Sequence, residues 1–263
     1  MRSIEASPRL LSAPLELTGD WRGSPPDAVM RVVSRVRDVS LSGVSLFSDR
    51  QPNRLRIESR SADFPAIWLH NEDADLAWVL VVIGDCAWAQ LAYQFGHELG
   101  HVLANSWDRL AVPRAPCVWL EECLVEAFTL RGLSLLAASW ERDPPFANDA
   151  DYANAIREHL DYRIKPYAAQ APSESCAAWF HKARAALDLQ GGESSAEGPA
   201  TLGILAHLKN DSECVADLGA LNRWPARSAA PLEDYLMLWE QSCAEIGAPG
   251  RLPGHVRRLL GVR

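Results

Sequence analysis

The ten residues 93–102 read YQFGHELGHV, and no other stretch constrains the fold of this chain so tightly. Laid on a helix at about 100° per residue, the segment 86–106 divides into two faces. Trp88, Leu91, Ala92, Phe95, Leu99, Val102 and Leu103 make one broad apolar stripe that must meet a core. His97 and His101 fall together on the opposite side, flanked by Gln90 and Gln94. Residues four apart stand one turn above each other, so both imidazoles can reach a single point about 2 Å from each. Glu98 lies about 100° round from His97, close enough to touch a water at that point without itself being a ligand. Two neutral nitrogens on a metal and a carboxylate beside its water are the parts of a hydrolytic zinc site. The plainer alternative is two histidines and an acid on the wet face of a helix.

Two histidines hold a metal weakly. A third protein ligand must therefore come from elsewhere, leaving a fourth position for water. A further histidine at the spacing HExxHxxGxxH would fall on Trp107, with Ala104 where the glycine belongs. Asp108 is the one acid just downstream, and a helix end is a poor place to fold back from. Glu121 and Glu122 are better placed. They follow the loop NSWDRLAVPRAPC, in which Pro113 and Pro116 turn the chain, and they open a second helix, 118–136, that can return antiparallel. Either glutamate serves as a ligand on this reading.

HELGH followed about twenty residues later by Trp119-Leu120-Glu121-Glu122 resembles the gluzincin zinc peptidases, which include thermolysin-like enzymes and the WLxEG aminopeptidases. The resemblance implies one zinc ion per chain, held by His97, His101 and Glu122. It implies Glu126 as the acid that accepts the far N–H of His97. Choosing Glu121 as ligand would put Val125 in that orienting role, which it cannot fill. The family's activity is peptide-bond hydrolysis, with Glu98 as the general base. The same resemblance implies an oxyanion donor from the C-terminal half, for which Tyr152, Tyr162, Tyr167, His159 and His181 are available. A peptide or protein substrate would lie extended along an edge strand, either 77–83 or 66–70. The likeness covers residues 77–136 and continues more faintly through 200–224 and 231–243. Two departures matter. Glu197-Gly198-Pro199 stands where many relatives carry a tyrosine, which argues for weak turnover or a zinc-stabilised binding module. The GAMEN signature of aminopeptidases is absent, which favours an endopeptidase.

The remainder of the chain sets limits. With 263 residues and 48% hydrophobic content it can bury a substantial core. A net charge of −8 speaks against a general nucleic-acid partner, which needs a basic face. The basic C-terminal run 250–263 reads as the solvated end of an amphipathic helix. Six dispersed cysteines without a CxxC pair read as free thiols packed among apolar neighbours. The first thirty residues lack the apolar core of a signal peptide, and the longest apolar run, 77–84, is too short for a bilayer. A cytoplasmic protein without a membrane partner is expected, with signal-independent export left open. Oligomeric state leaves no trace in the sequence.

The expected fold class is α+β. A helix over 25–39 precedes four extended segments, 43–48, 54–59, 66–70 and 77–83, arranged as a small mixed or antiparallel sheet, a meander in its simplest form. The sheet packs on the HELGH helix, whose start Asp85 can cap. Helical segments over 149–163, 173–188, 200–209, 211–221 and 231–246 follow, with a polar loop at 190–200. Two subdomains are expected, 1–136 carrying the two ligand helices and a helical 137–263.

Overall fold

In the computed structural model, residues 9–44, 48–60, 64–70, 72–170, 174–191 and 196–262 are described. A short helix α1 (Arg9–Ser12) leads into strand β1 (Leu15–Gly19), then helix α2 (Pro26–Ser40) and strands β2 (Arg54–Ser59), β3 (Ala66–Ile67) and β4 (Leu76–Val81). Helices α3 (Trp88–Leu103), α4 (Val118–Arg142), α5 (Tyr152–Ala169), α6 (Cys176–Leu187) and α7 (Gly198–Asn210) follow. A 3-10 segment (Ser212–Ala220), a second one (Arg227–Ala229), and helices α8 (Leu232–Ile246) and α9 (Arg251–Leu260) complete the chain. The fold is α+β, with a mixed four-stranded sheet and a helical C-terminal half.

The strand order is β1-β2-β4-β3. β1, β2 and β4 are parallel, and β3 lies antiparallel to β4 with Ala66 opposite Leu80 and Ile67 opposite Val79. The sheet is therefore not a meander. Parallel pairing needs a crossover, and α2 supplies it between β1 and β2. β1 itself was not expected from the sequence, because LELTG is short and prolines stand close on either side, at 14 and 25–26. The segment expected at 43–48 falls largely on 45–47, outside the described residues.

Amphipathic packing accounts for the helices. Pro26 sits in the first turn of α2, where its missing N–H costs nothing, and Val29, Val32, Val33 and Val36 are buried. On α3 every residue of the expected stripe is buried. Its N-terminus is not capped by Asp85: the cap position is Ala87, without a side-chain bond, and the Ala89 N–H donates to the Tyr152 hydroxyl at 3.1 Å instead. α4 contributes more buried residues than any other element described, with Trp119, Leu120, Cys123, Leu124, Ala127 and Phe128 all inaccessible. By length and composition it could cross a membrane, but 78% of its most apolar window is covered by the protein's own core. A division at residue 136 falls inside this helix, and one hydrophobic core runs from Leu10 to Leu260 through both halves. All six cysteines are free. The basic run at the C-terminus forms α9, with Leu252, Val256 and Leu260 turned into that core.

α3 and α4 approach unusually closely. A side chain at Gly100 would place its Cβ 2.8 Å from Val125 Cγ1 and 3.2 Å from the Phe128 ring. The missing side chain at Gly100 lets the two helices meet this closely. The polar face of α3 is fixed to the sheet by two glutamines: the Gln94 amide exchanges bonds with both backbone groups of Val82 (2.7 and 2.8 Å), and Gln90 donates to the same carbonyl at 3.0 Å.

Candidate metal centre

Where α3 and α4 meet, the Glu122 carboxylate lies between the two imidazoles. Its oxygens stand 3.3 Å from His97 Nε2 and 3.4 Å from His101 Nε2. The three ligand atoms fall within 4.8 Å of one another. The imidazole centroids are 5.1 Å apart with planes at 70°, so the rings converge rather than stack.

The other nitrogen of each ring is also engaged. His97 Nδ1 is 3.2 Å from Glu126, and His101 Nδ1 is 3.0 Å from Glu121. With a metal bound, a carboxylate on Nδ1 would accept its N–H and leave the Nε2 lone pair for the ion, the tautomer a metal-binding histidine needs. Spacing alone casts Glu121 only as a rival ligand. The fold gives it a different task, because adjacent residues on a helix diverge by about 100° and Glu121 and Glu122 therefore approach opposite sides of His101. The signal was available: His101 needs an acceptor on Nδ1 as much as His97 does.

Both orienting carboxylates are buried and held in turn. Glu126 accepts from the Tyr93 hydroxyl at 2.9 Å and the Tyr167 hydroxyl at 3.1 Å, with the Arg163 guanidinium 3.7 Å away. Arg163 also donates to the Tyr93 hydroxyl and lies over its ring. Glu121 accepts from the Asn222 amide at 2.8 Å, and that amide bridges to the Ala104 carbonyl at 3.2 Å. Asn222 and Asn105 have φ values of 57° and 62°, the left-handed region that asparagine tolerates. Arg163 and Asn222 come from elements the spacing argument does not reach, while Tyr93 stands one turn before His97 on α3, where that argument gave it no role.

The electrostatics favour a cation. Burial would push each of these carboxyls up, but the imidazoles outweigh it and hold Glu121, Glu122 and Glu126 below their ordinary range. Burial likewise depresses His97, yet its bonds to Glu122 and Glu126 prevail and lift it to about 9. Three carboxylates thus face two imidazoles that hold protons, and those protons are what a divalent cation would displace. A donor set of two imidazole nitrogens and one carboxylate suits zinc, and the residues fit that ion.

Glu98 differs from the other three glutamates. It is 4% exposed, yet no hydrogen-bond partner is found for its carboxyl among the described residues, and it opens on the cleft beside the histidines. Burial raises its pKa, against the pull of His101 and His97. The cleft has a volume of about 490 Å³ and an apolar rim made by Phe64, Ala66, Ile67, Leu69, Pro113 and Val118. β3 is the edge strand of the sheet and borders this cleft, whereas β4 is an interior strand between β2 and β3.

The tyrosine and histidine candidates for an oxyanion donor lie elsewhere. Tyr152 caps α3, Tyr167 is bound to Glu126, Tyr162 is largely exposed on α5, and His159 sits against Tyr93 and Tyr162. His181 is exposed on α6. None of these five lines the cleft, where Ser106 contributes the hydroxyl. A second group, His207, Asp211 and Cys214, also clusters within 4.8 Å. There the Arg251 guanidinium already neutralises Asp211 at 2.8 Å, and His207 stacks on His255 with centroids 3.9 Å apart. Comparison with protein-family models, with curated proteins and with solved structures gives no match to this chain.

Proposed function

We propose that this chain is a zinc-dependent peptidase of the gluzincin type. One observation carries the reading: a single carboxylate, Glu122, lies within 3.4 Å of the Nε2 atoms of both His97 and His101 while a separate carboxylate holds each Nδ1. A zinc ion held by His97, His101 and Glu122 would supply Lewis-acid polarisation of a carbonyl and bring the pKa of a water toward 7. The remaining work falls to the chain's own groups. Glu98, without a hydrogen-bond partner among the described residues and open to the cleft, takes the proton of the attacking water and delivers it to the departing amine. Glu126 and Glu121 fix the tautomer and orientation of the two imidazoles. The outer edge of β3 offers unpaired backbone groups to an extended peptide, so an endopeptidase that binds by strand addition is favoured.

The test has two parts. Protein produced without a histidine tag should carry about one zinc per chain. Glu98→Gln should keep that zinc and lose chelator-sensitive cleavage of a peptide library; full activity in this variant would remove Glu98 as the base.

A second reading, a zinc-stabilised binding module with weak or no turnover, is favoured by one specific feature. Tyr93 and Tyr167, the two tyrosines of this cluster, are both committed to Glu126, and none of the expected oxyanion donors lines the cleft. Zinc content together with no chelator-sensitive cleavage across a broad peptide library would select it.

A further inference from the structure

A second cavity lies on the far part of α4. It is a groove of about 760 Å³ between the C-terminal halves of α2 and α4 and the end of α7. Glu122 and Leu135 are thirteen positions apart on the same helix, which at 1.5 Å per residue separates groove and metal centre by roughly 20 Å. Four cations line the groove: Arg35, Arg131, Arg142 and Lys209. Four serine hydroxyls join them, from Ser42, Ser134, Ser139 and Ser212. Asp38 is the one carboxylate among the lining residues, and it is paired 3.7 Å from Arg37. Such a concentration of positive charge is out of keeping with a chain whose net charge is −8.

Arg131 is the decisive residue. It is 5% exposed, yet no carboxylate partners it among the described residues. Its one hydrogen bond runs from Nη1 to the Ser40 carbonyl at 3.2 Å, at the C-terminus of α2. That bond uses one of its five N–H donors. Nε and Nη2 are not among the buried atoms left without a partner, so they open on the groove. A buried guanidinium without a counter-ion is costly unless an anion completes it. Burial alone lowers its pKa, in keeping with the lack of an acidic neighbour. Arg142 and Lys209 are exposed at the rim, and neither meets a carboxylate among the described residues. Arg35 is the exception, shared between Ser139 Oγ at 2.8 Å and Asp143 at 2.9 Å.

We infer that this groove binds the phosphate group of a small molecule. Guanidinium forks match the oxygens of a phosphate, serine hydroxyls donate to the same oxygens, and Lys209 adds a point charge. The volume exceeds that of a bare phosphate and falls in the range of small-molecule pockets. Leu135 and Val39 offer apolar contact to whatever carries the phosphate. The ligand is thus a phosphate ester or free phosphate.

The experiment is calorimetric titration of the full chain with inorganic phosphate and, separately, with adenosine monophosphate as a simple ester. Tighter binding of the ester identifies an ester ligand, and equal binding identifies the free anion; both support the site. Affinity should fall as sodium chloride is raised. Arg142→Gln combined with Lys209→Gln, both at exposed positions, should weaken binding about tenfold or more, as expected on losing charge-assisted bonds. Arg131→Lys should weaken it as well, because an ammonium cannot present the planar fork to the phosphate oxygens. No binding of either probe at millimolar concentration, or binding unchanged in the Arg142/Lys209 double variant, would overturn the inference.

Discussion

Four glutamates within thirty residues of one another have four environments, and their chemistry follows from what each one touches. Glu122 lies between the two Nε2 atoms, Glu126 and Glu121 each hold one Nδ1, and Glu98 has no hydrogen-bond partner among the described residues. Substitutions should separate these tasks. Glu122→Gln, by removing a charged ligand, should abolish stoichiometric zinc in elemental analysis. Glu126→Gln and Glu121→Gln should each retain zinc but weaken its affinity by about 10- to 100-fold, the usual effect of losing an orienting carboxylate. Competition against a colorimetric chelator would measure this, and a Glu121 variant with unaltered affinity would make its bond to His101 incidental. The residues of the metal centre were legible where chemistry imposes a spacing. His97, Glu98 and His101 could be placed together on a helix wheel, whereas spacing left Glu121 and Glu122 both open, and Glu122 and Glu126 were singled out only through the resemblance to a family motif. Arg163 and Asn222 were not legible, because hydrogen bonds between distant elements leave no periodic trace, whereas Tyr93 stands one turn before His97 on α3 and its role shows only once Glu126 is in place.

At the level of elements, the centre exists because α3 and α4 come together closely, and Gly100 permits that approach. Gly100→Ala should improve helix propensity by up to about 1 kcal/mol while overpacking against Val125 costs about 1–3 kcal/mol. The second effect is larger, since Val125 is stiff at χ1. The variant should therefore melt lower and bind zinc more weakly, and adding Val125→Ala should recover part of both losses. Thermal melts of the two single variants and the double variant would show the coupling. A destabilisation in Gly100→Ala that Val125→Ala leaves untouched would mean the helices are spaced by something else. Helix positions were readable from the 3.6-residue rhythm, and β2 from its alternation, Arg54 to Ser59, buried at every second residue. The sheet order was not. Short strands such as Leu15–Gly19 and Ala66–Ile67 carry too little pattern to declare partners, and pairing direction depends on the crossover through α2.

For the molecule as a whole, a bound ion would cross-link the two central helices of a single core. Removing it with a chelator should lower the melting temperature by on the order of 10 °C when zinc had been near a thousandfold above its dissociation constant. Calorimetry before and after dialysis against chelator would measure it, and an unchanged melting temperature in zinc-loaded protein would show that the ion adds nothing to the fold. The two halves expected from composition were visible as a change from strands to helices. Their fusion through α4 was not, because a helix that is apolar on nearly every side gives no hint of which neighbours surround it.

Asn222 gives the arrangement a temporal meaning. It reaches back across more than a hundred positions to steady Glu121, and its own side chain is met by the Tyr235 hydroxyl at 3.5 Å. A chain still emerging from the ribosome would expose HELGH long before the segment that aligns its second histidine has been made. A zinc ion held by the two helices would therefore reach its full affinity only once the segment around residue 222 has folded back onto α4.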